Sequence, residues 1–147
     1  MRIVSSQSIH PYNGELMKSF EEFSDNQLEA AIAKSAACFK TWHIMTFRDS
    51  ATVDHTAGAI MRVRYETLAR PVTVEMSKLI DQARGAVLLS ADIIDYNAEN
   101  AQSFLAPQQL RPTSGEAEVE STPIGVLLGI QPCNLLYYQL ARSAGRI

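Results

Sequence analysis

The sequence predicts an α/β chain in which helices occupy the N-terminal part and strands come late. Three observations carry this. Apolar residues recur at helical spacing from Leu28 to Leu105, Glu116–Glu120 alternates polar with apolar residues, and Ile124–Ile130 is a short apolar run between turn residues. The first pattern buries one face of a helix, the second one face of a strand, and the third suits a strand covered on both faces inside a parallel sheet.

Each element has its own local cause. In His10-Pro11-Tyr12-Asn13-Gly14-Glu15, Asn13-Gly14 can supply the positive φ angles of a tight turn, with short strands expected on either side. Ser24 with Gln27 three residues on forms a capping box, and Leu28, Ala31, Ile32, Ala36 and Phe39 follow on one face, predicting a helix to about Trp42. Thr46 with Asp49 opens a second helix through Val53, Ala57, Ile60 and Met61, weakened at Gly58 by about 1 kcal/mol relative to alanine. The pattern resumes through Tyr65, Leu68, Val72 and Met76, but Pro71 lacks an amide donor and clashes with the preceding turn, so a kink or break is expected near Arg70.

The clearest helix spans about Asp81 to Leu105, where Val87, Ala91, Ile94, Ala98, Ala101 and Leu105 form an apolar stripe best read as core. Its opposite face, with Asp92, Asp95, Glu99 and Asn100, reads as solvated. Pro107 stops the helix, and the stretch through Pro112, Ser114 and Gly115 reads as a connector to the half-buried strand. The apolar run from Ile124 would be a central parallel strand, which needs strand neighbours that the remaining residues do not supply.

Composition narrows the function. With 46% hydrophobic residues and 20% charged, the 147-residue chain can build a core and is not a disordered segment. A net charge of −3 and no basic stripe argue against a nucleic-acid partner. No signal-like or bilayer-length apolar run is present, so no membrane partner and a cytoplasmic location are expected. Cys38 and Cys133 are far apart, and His10, His43 and His55 are scattered, so neither a disulfide framework nor a metal site is indicated.

One segment points further. Glu120-Ser121-Thr122-Pro123-Ile124-Gly125-Val126 through Ile130-Gln131-Pro132-Cys133-Asn134 resembles the aldehyde dehydrogenase strand that leads into a Pro-Trp-Asn-Phe-Pro motif. Gln82-Ala83-Arg84-Gly85, Ser90-Ala91-Asp92 and Tyr96–Leu105 ahead of Ala106-Pro107 resemble that family's long helix, and the details are most similar to its succinate-semialdehyde dehydrogenase branch. The resemblance implies an incomplete aldehyde dehydrogenase-like fold: a helical part of the cofactor-binding domain over 1–107, a segment of the oligomerisation hairpin over 108–123, and the first strand and helix of the nucleotide-binding core over 124–147. It implies NAD or NADP as cofactor, a small-molecule aldehyde as substrate and a homo-oligomer.

Site residues follow from the same resemblance. Asn134 matches the asparagine whose amide stabilises the oxyanion formed when a thiolate attacks the aldehyde, a task that suits a neutral donor. Ile130, Gln131, Pro132 and Cys133 match residues lining the nicotinamide side. Arg142 matches the arginine that grips the substrate carboxylate, for which a bidentate, permanently charged guanidinium is suited. From the residues alone, Asn134 could equally close a turn or cap the next helix, and Arg142 could be an ordinary solvated helix residue.

The departures from the family pattern are specific. Cys133 stands where the motif has Trp, Leu135-Leu136 where it has Phe-Pro, Ser77 where Gly is usual, Pro71 inside a family helix, and Arg146 where Pro is common. The family's nucleophilic Cys, general-base Glu, phosphate-side Lys and Gly-rich loop have no counterpart in the 147 residues. Cys133 has no His nearby in sequence to raise its thiolate fraction and is not read as a substitute. The chain alone is therefore expected to be an inactive fragment that does not hold the cofactor by itself. The competing expectation is a non-catalytic module that pairs with a full-length dehydrogenase subunit.

Overall fold

The computed structural model describes residues 6–145, with Cys133 described in its backbone only. Arg146 therefore lies outside the described residues. A hairpin of β1 (Ser6–Ile9) and β2 (Leu16–Phe20) precedes helices α1 (Asp25–Trp42), α2 (Phe47–Val63), α3 (Tyr65–Met76) and α4 (Ile80–Phe104). A second hairpin, β3 (Gln108–Leu110) and β4 (Ala117–Val119), follows, and a 3-10 turn (Cys133–Leu135) leads into α5 (Leu136–Ala144). Both hairpins are antiparallel and two-stranded.

Local chemistry sets the helix starts. The Ser24 side chain accepts from the Gln27 amide while the Gln27 side chain accepts from the Ser24 amide, completing the capping box. Thr46 caps α2 in the same way through the Asp49 amide. The first hairpin's turn differs from expectation, because only Gly14 takes a positive φ (74°). Asn13 serves through its side chain, accepting from the Glu15 amide at 3.1 Å, and the turn is closed by His10 N–H donating to Glu15 O at 2.9 Å.

The helix break also falls elsewhere than expected. It lies at Arg64 (φ −102°, ψ 13°), and α3 runs unbroken through Pro71. Pro71 is exposed, so the Thr67 carbonyl that its missing amide leaves free can turn toward water. At the end of α3, Ser77 is left-handed (φ 52°), where the resembled family has Gly. A side chain in that conformation costs about 1 kcal/mol.

The core is small and sits between α3 and the first half of α4: Ala69, Val72, Ala83 and Val87 are buried, with Leu68, Met76 and Tyr137 packed against them. Val87 and Ala91 of the predicted stripe are fully buried, but Leu105, at the C-cap of α4, is 45% exposed. No residue of the α1 stripe is fully buried: Leu28 and Ile32 are half exposed, and Phe39 is partly covered. The chain exposes 11634 Å², against about 7,500 Å² expected for a compact monomer of 16.2 kDa. Roughly a third of its surface is thus of a kind that compact domains cover. Among the described residues no helix is long and apolar enough to cross a membrane.

Packing of α2 on α4 explains Gly58, and corrects the reading of Asp95 as solvated, while Asp92 is exposed as expected. The Asp95 carboxylate accepts from Arg62 and lies 2.7 Å from His55 Nδ1, while Arg62 Nη2 reaches Asp92 at 2.7 Å. Burial works to raise the Asp95 carboxyl, but the bonds from His55 and Arg62 outweigh it and hold it below the usual carboxylate value. A methyl added at Gly58 would stand 3.0 Å from Asp95 Oδ1. Gly58→Ala should therefore stabilise an Asp95→Ala background by about 1 kcal/mol, the helix-propensity gain, yet give no gain or a loss beside Asp95. Equal melting shifts in the two backgrounds would show that the carboxylate yields without cost.

Candidate functional site

The site expected from sequence begins with the apolar run 124–130. In this chain these residues form no strand, and Ile124, Leu128 and Ile130 are 89%, 87% and 85% exposed. A strand exists through hydrogen bonds to neighbours, and none of the described residues pairs with this segment. The expected central strand is therefore unpaired here, for want of the partners a parallel strand requires. A related correction concerns the connector 107–115. It contains β3, whose Gln108, Gln109 and Leu110 pair with Val119, Glu118 and Ala117. Three residues are too few to show alternation, so pairing alone makes this strand.

After Ile130 the backbone turns. Gln131 and Pro132 are exposed, Pro132 (φ −68°, ψ 148°) leads into the 3-10 turn, and Asn134 lies exposed within that turn. Leu135 rather than Asn134 occupies the cap position of α5, and it makes no side-chain cap bond. The amide of Asn134 is thus not spent on capping. Leu136 opens α5 at φ −43°, a position and angle compatible with the family's proline.

Arg142 is exposed in the last turn of α5, where a cation also complements the helix dipole. Helix α5 is seated by Ala141, 1% exposed, and by Tyr137 against the core. Burial, then the neighbouring Glu75, push the Tyr137 hydroxyl above its usual range. The structure brings Gln131 onto Ser143, with Nε2 donating to Oγ at 2.7 Å. Ser143 was not singled out in the sequence; a lone serine in a short helix carries no signal of such a tie. The side chain of Cys133 lies outside the described residues.

Ile130, Gln131, Pro132, Asn134 and Arg142 are exposed to solvent. A cavity of about 870 Å³ lies elsewhere, between α1, α2, α4 and residues 121–127, lined by Phe39, Trp42, Tyr96 and Phe104 with Asp54 at its wall. Burial raises the Asp54 carboxyl above its usual value, with His55 lowering and Asp95 raising it. Among the described residues no group of His, Cys, Asp and Glu could hold a metal ion.

Residues 4–145 match the model of the aldehyde dehydrogenase family. The chain belongs to the aldehyde dehydrogenase family. Over 137 residues it is 36% identical to succinate-semialdehyde dehydrogenase [NADP(+)] of Deinococcus radiodurans, covering 93% of this chain and 29% of the relative. It is 31% identical to succinate semialdehyde dehydrogenase [NAD(P)+] Sad of Escherichia coli, again with 93% of this chain and 30% of the relative covered. Its fold matches the crystal structure of succinic semialdehyde dehydrogenase from Streptococcus pyogenes, in complex with NADP+, with a TM-score of 0.88 at 32% identity, over 92% of this chain and 30% of that one. The chain thus spans about three tenths of the length of the relatives it matches. The aldehyde dehydrogenase-like fold expected from sequence is confirmed, as a partial α/β arrangement with five α-helices and two small sheets among the described residues.

Proposed function

We propose that this member of the aldehyde dehydrogenase family supplies the nicotinamide-side wall and the oxyanion donor of a site that oxidises succinate semialdehyde to its carboxylate. The observation that carries the proposal is the state of Asn134: exposed on a turn before α5, one residue ahead of the cap position, which Leu135 occupies. An amide so held can donate to an oxyanion without losing a proton. Exposed Ile130 and Pro132 fit one apolar wall for a nicotinamide, with Gln131 and Cys133 beside them. NAD or NADP, when bound, supplies the oxidising equivalent. Arg142 would hold the substrate's carboxylate. In this reading 1–107 and 124–147 belong to the cofactor-binding domain and 108–123 to a hairpin that joins subunits of a cytoplasmic homo-oligomer.

The excess exposed surface supports a second reading, in which the chain is a non-catalytic module that pairs with a full-length dehydrogenase subunit. An excess of about 4,000 Å² is far more than the roughly 800 Å² each partner buries in a standard complex. Two measurements test both readings. The 147 residues alone should show no reduction of NAD or NADP with succinate semialdehyde, since they hold neither the family's nucleophile nor its base. Turnover that vanishes on Cys133→Ala would overturn that. Size-exclusion chromatography with the Streptococcus pyogenes enzyme should show co-elution if the module reading holds; separate peaks would discard it.

A further inference from the structure

We propose that Gln131 and Ser143 form a strap that positions the turn carrying Asn134, a role resting on the reading of Asn134 as the oxyanion donor. The Ser143 hydroxyl has one proton, which it donates to Gln139 O at 3.0 Å. Its oxygen is then left to accept, and Gln131 Nε2 donates to it at 2.7 Å. The strap crosses twelve residues and encloses the 3-10 turn and most of α5. One end rests on a helix anchored by buried Ala141 and by Tyr137, so the restraint runs from the core through α5 to the residue three before Asn134. The other end folds back over Gly129, whose added Cβ would lie 3.7 Å from Gln131 Nε2.

This chain needs such a restraint at this point. The backbone changes sharply from Leu135 (φ −147°, ψ 66°) to Leu136 (φ −43°, ψ −62°), and neither residue has a ring to preset φ. A side-chain tie across the turn reduces the same freedom that a proline would remove. Gln131 and Ser143 are therefore positioning residues, acting on the direction of the Asn134 amide.

Hydrogen exchange on the 147-residue chain tests the strap directly. Ser143→Ala and Gln131→Ala should each speed exchange of the Asn134 and Leu135 amides roughly three- to tenfold, the effect of losing one hydrogen bond, while the Val87 and Ala91 amides are unchanged. Ser143→Thr, which keeps the hydroxyl, should restore parental rates. Exchange at Asn134 and Leu135 that does not respond to Ser143→Ala, including exchange already unprotected in the parent, overturns the strap. In a chimera with the C-terminal portion of the Streptococcus pyogenes enzyme, Ser143→Ala should lower kcat with little change in KM, again rescued by Ser143→Thr. There, an inert Asn134→Ala defeats the oxyanion reading and leaves the exchange result standing. Loss of activity in Asn134→Ala with parental kcat in Ser143→Ala defeats the strap instead.

Discussion

Asn134→Ala should lower turnover by about 100- to 1,000-fold, the usual consequence of removing one oxyanion donor, in a chimera joining residues 1–147 to the C-terminal portion of a succinate-semialdehyde dehydrogenase. The chimera is first repaired with Cys133→Trp, Leu135→Phe and Leu136→Pro, which rebuild the nicotinamide wall and stiffen the turn. The repair should itself raise activity, since Leu136 already has a proline-compatible position at the start of α5. KM should change little, because the oxyanion forms only as the aldehyde is attacked and the lost interaction belongs to the transition state. Arg142→Ala should behave in the opposite sense, raising KM for succinate semialdehyde while sparing an uncharged aldehyde of similar length. If both aldehydes suffer equally, Arg142 serves only the last turn of α5 and the substrate assignment fails.

Pro71→Leu should stabilise the chain by up to about 3 kcal/mol, less whatever local adjustment of the helix already recovers. Pro71 is the seventh residue of the twelve-residue α3, so its missing amide leaves the Thr67 carbonyl without its helical donor. The site is exposed, so leucine meets no packed neighbour, and the adjacent Val72 keeps its buried place. Thermal melting that shows no change, or a loss, would mean the proline's restriction of the unfolded chain outweighs the recovered bond.

The sequence by itself determined whatever depends on near neighbours along the chain. Ser24 with Gln27 and Thr46 with Asp49 set helix starts through bonds spanning three residues, and the periodicity through Val87 and Ala91 located α4 to within a residue at each end. The family was legible for the same reason, since the segment from Glu120 to Asn134 that carries the resemblance is contiguous. Tertiary structure decided what depends on residues distant in sequence. Asp95 read as a solvated carboxylate until α2 brought Arg62 and His55 to it across Gly58. Gln108–Leu110 became a strand only by pairing with Ala117–Val119, and Ser143 gained a role only when the turn brought Gln131 to it. The run from Ile124 to Ile130 shows the converse: its apolar pattern states that it should be buried, but a strand is made by its neighbours, and no described residue of this chain pairs with it.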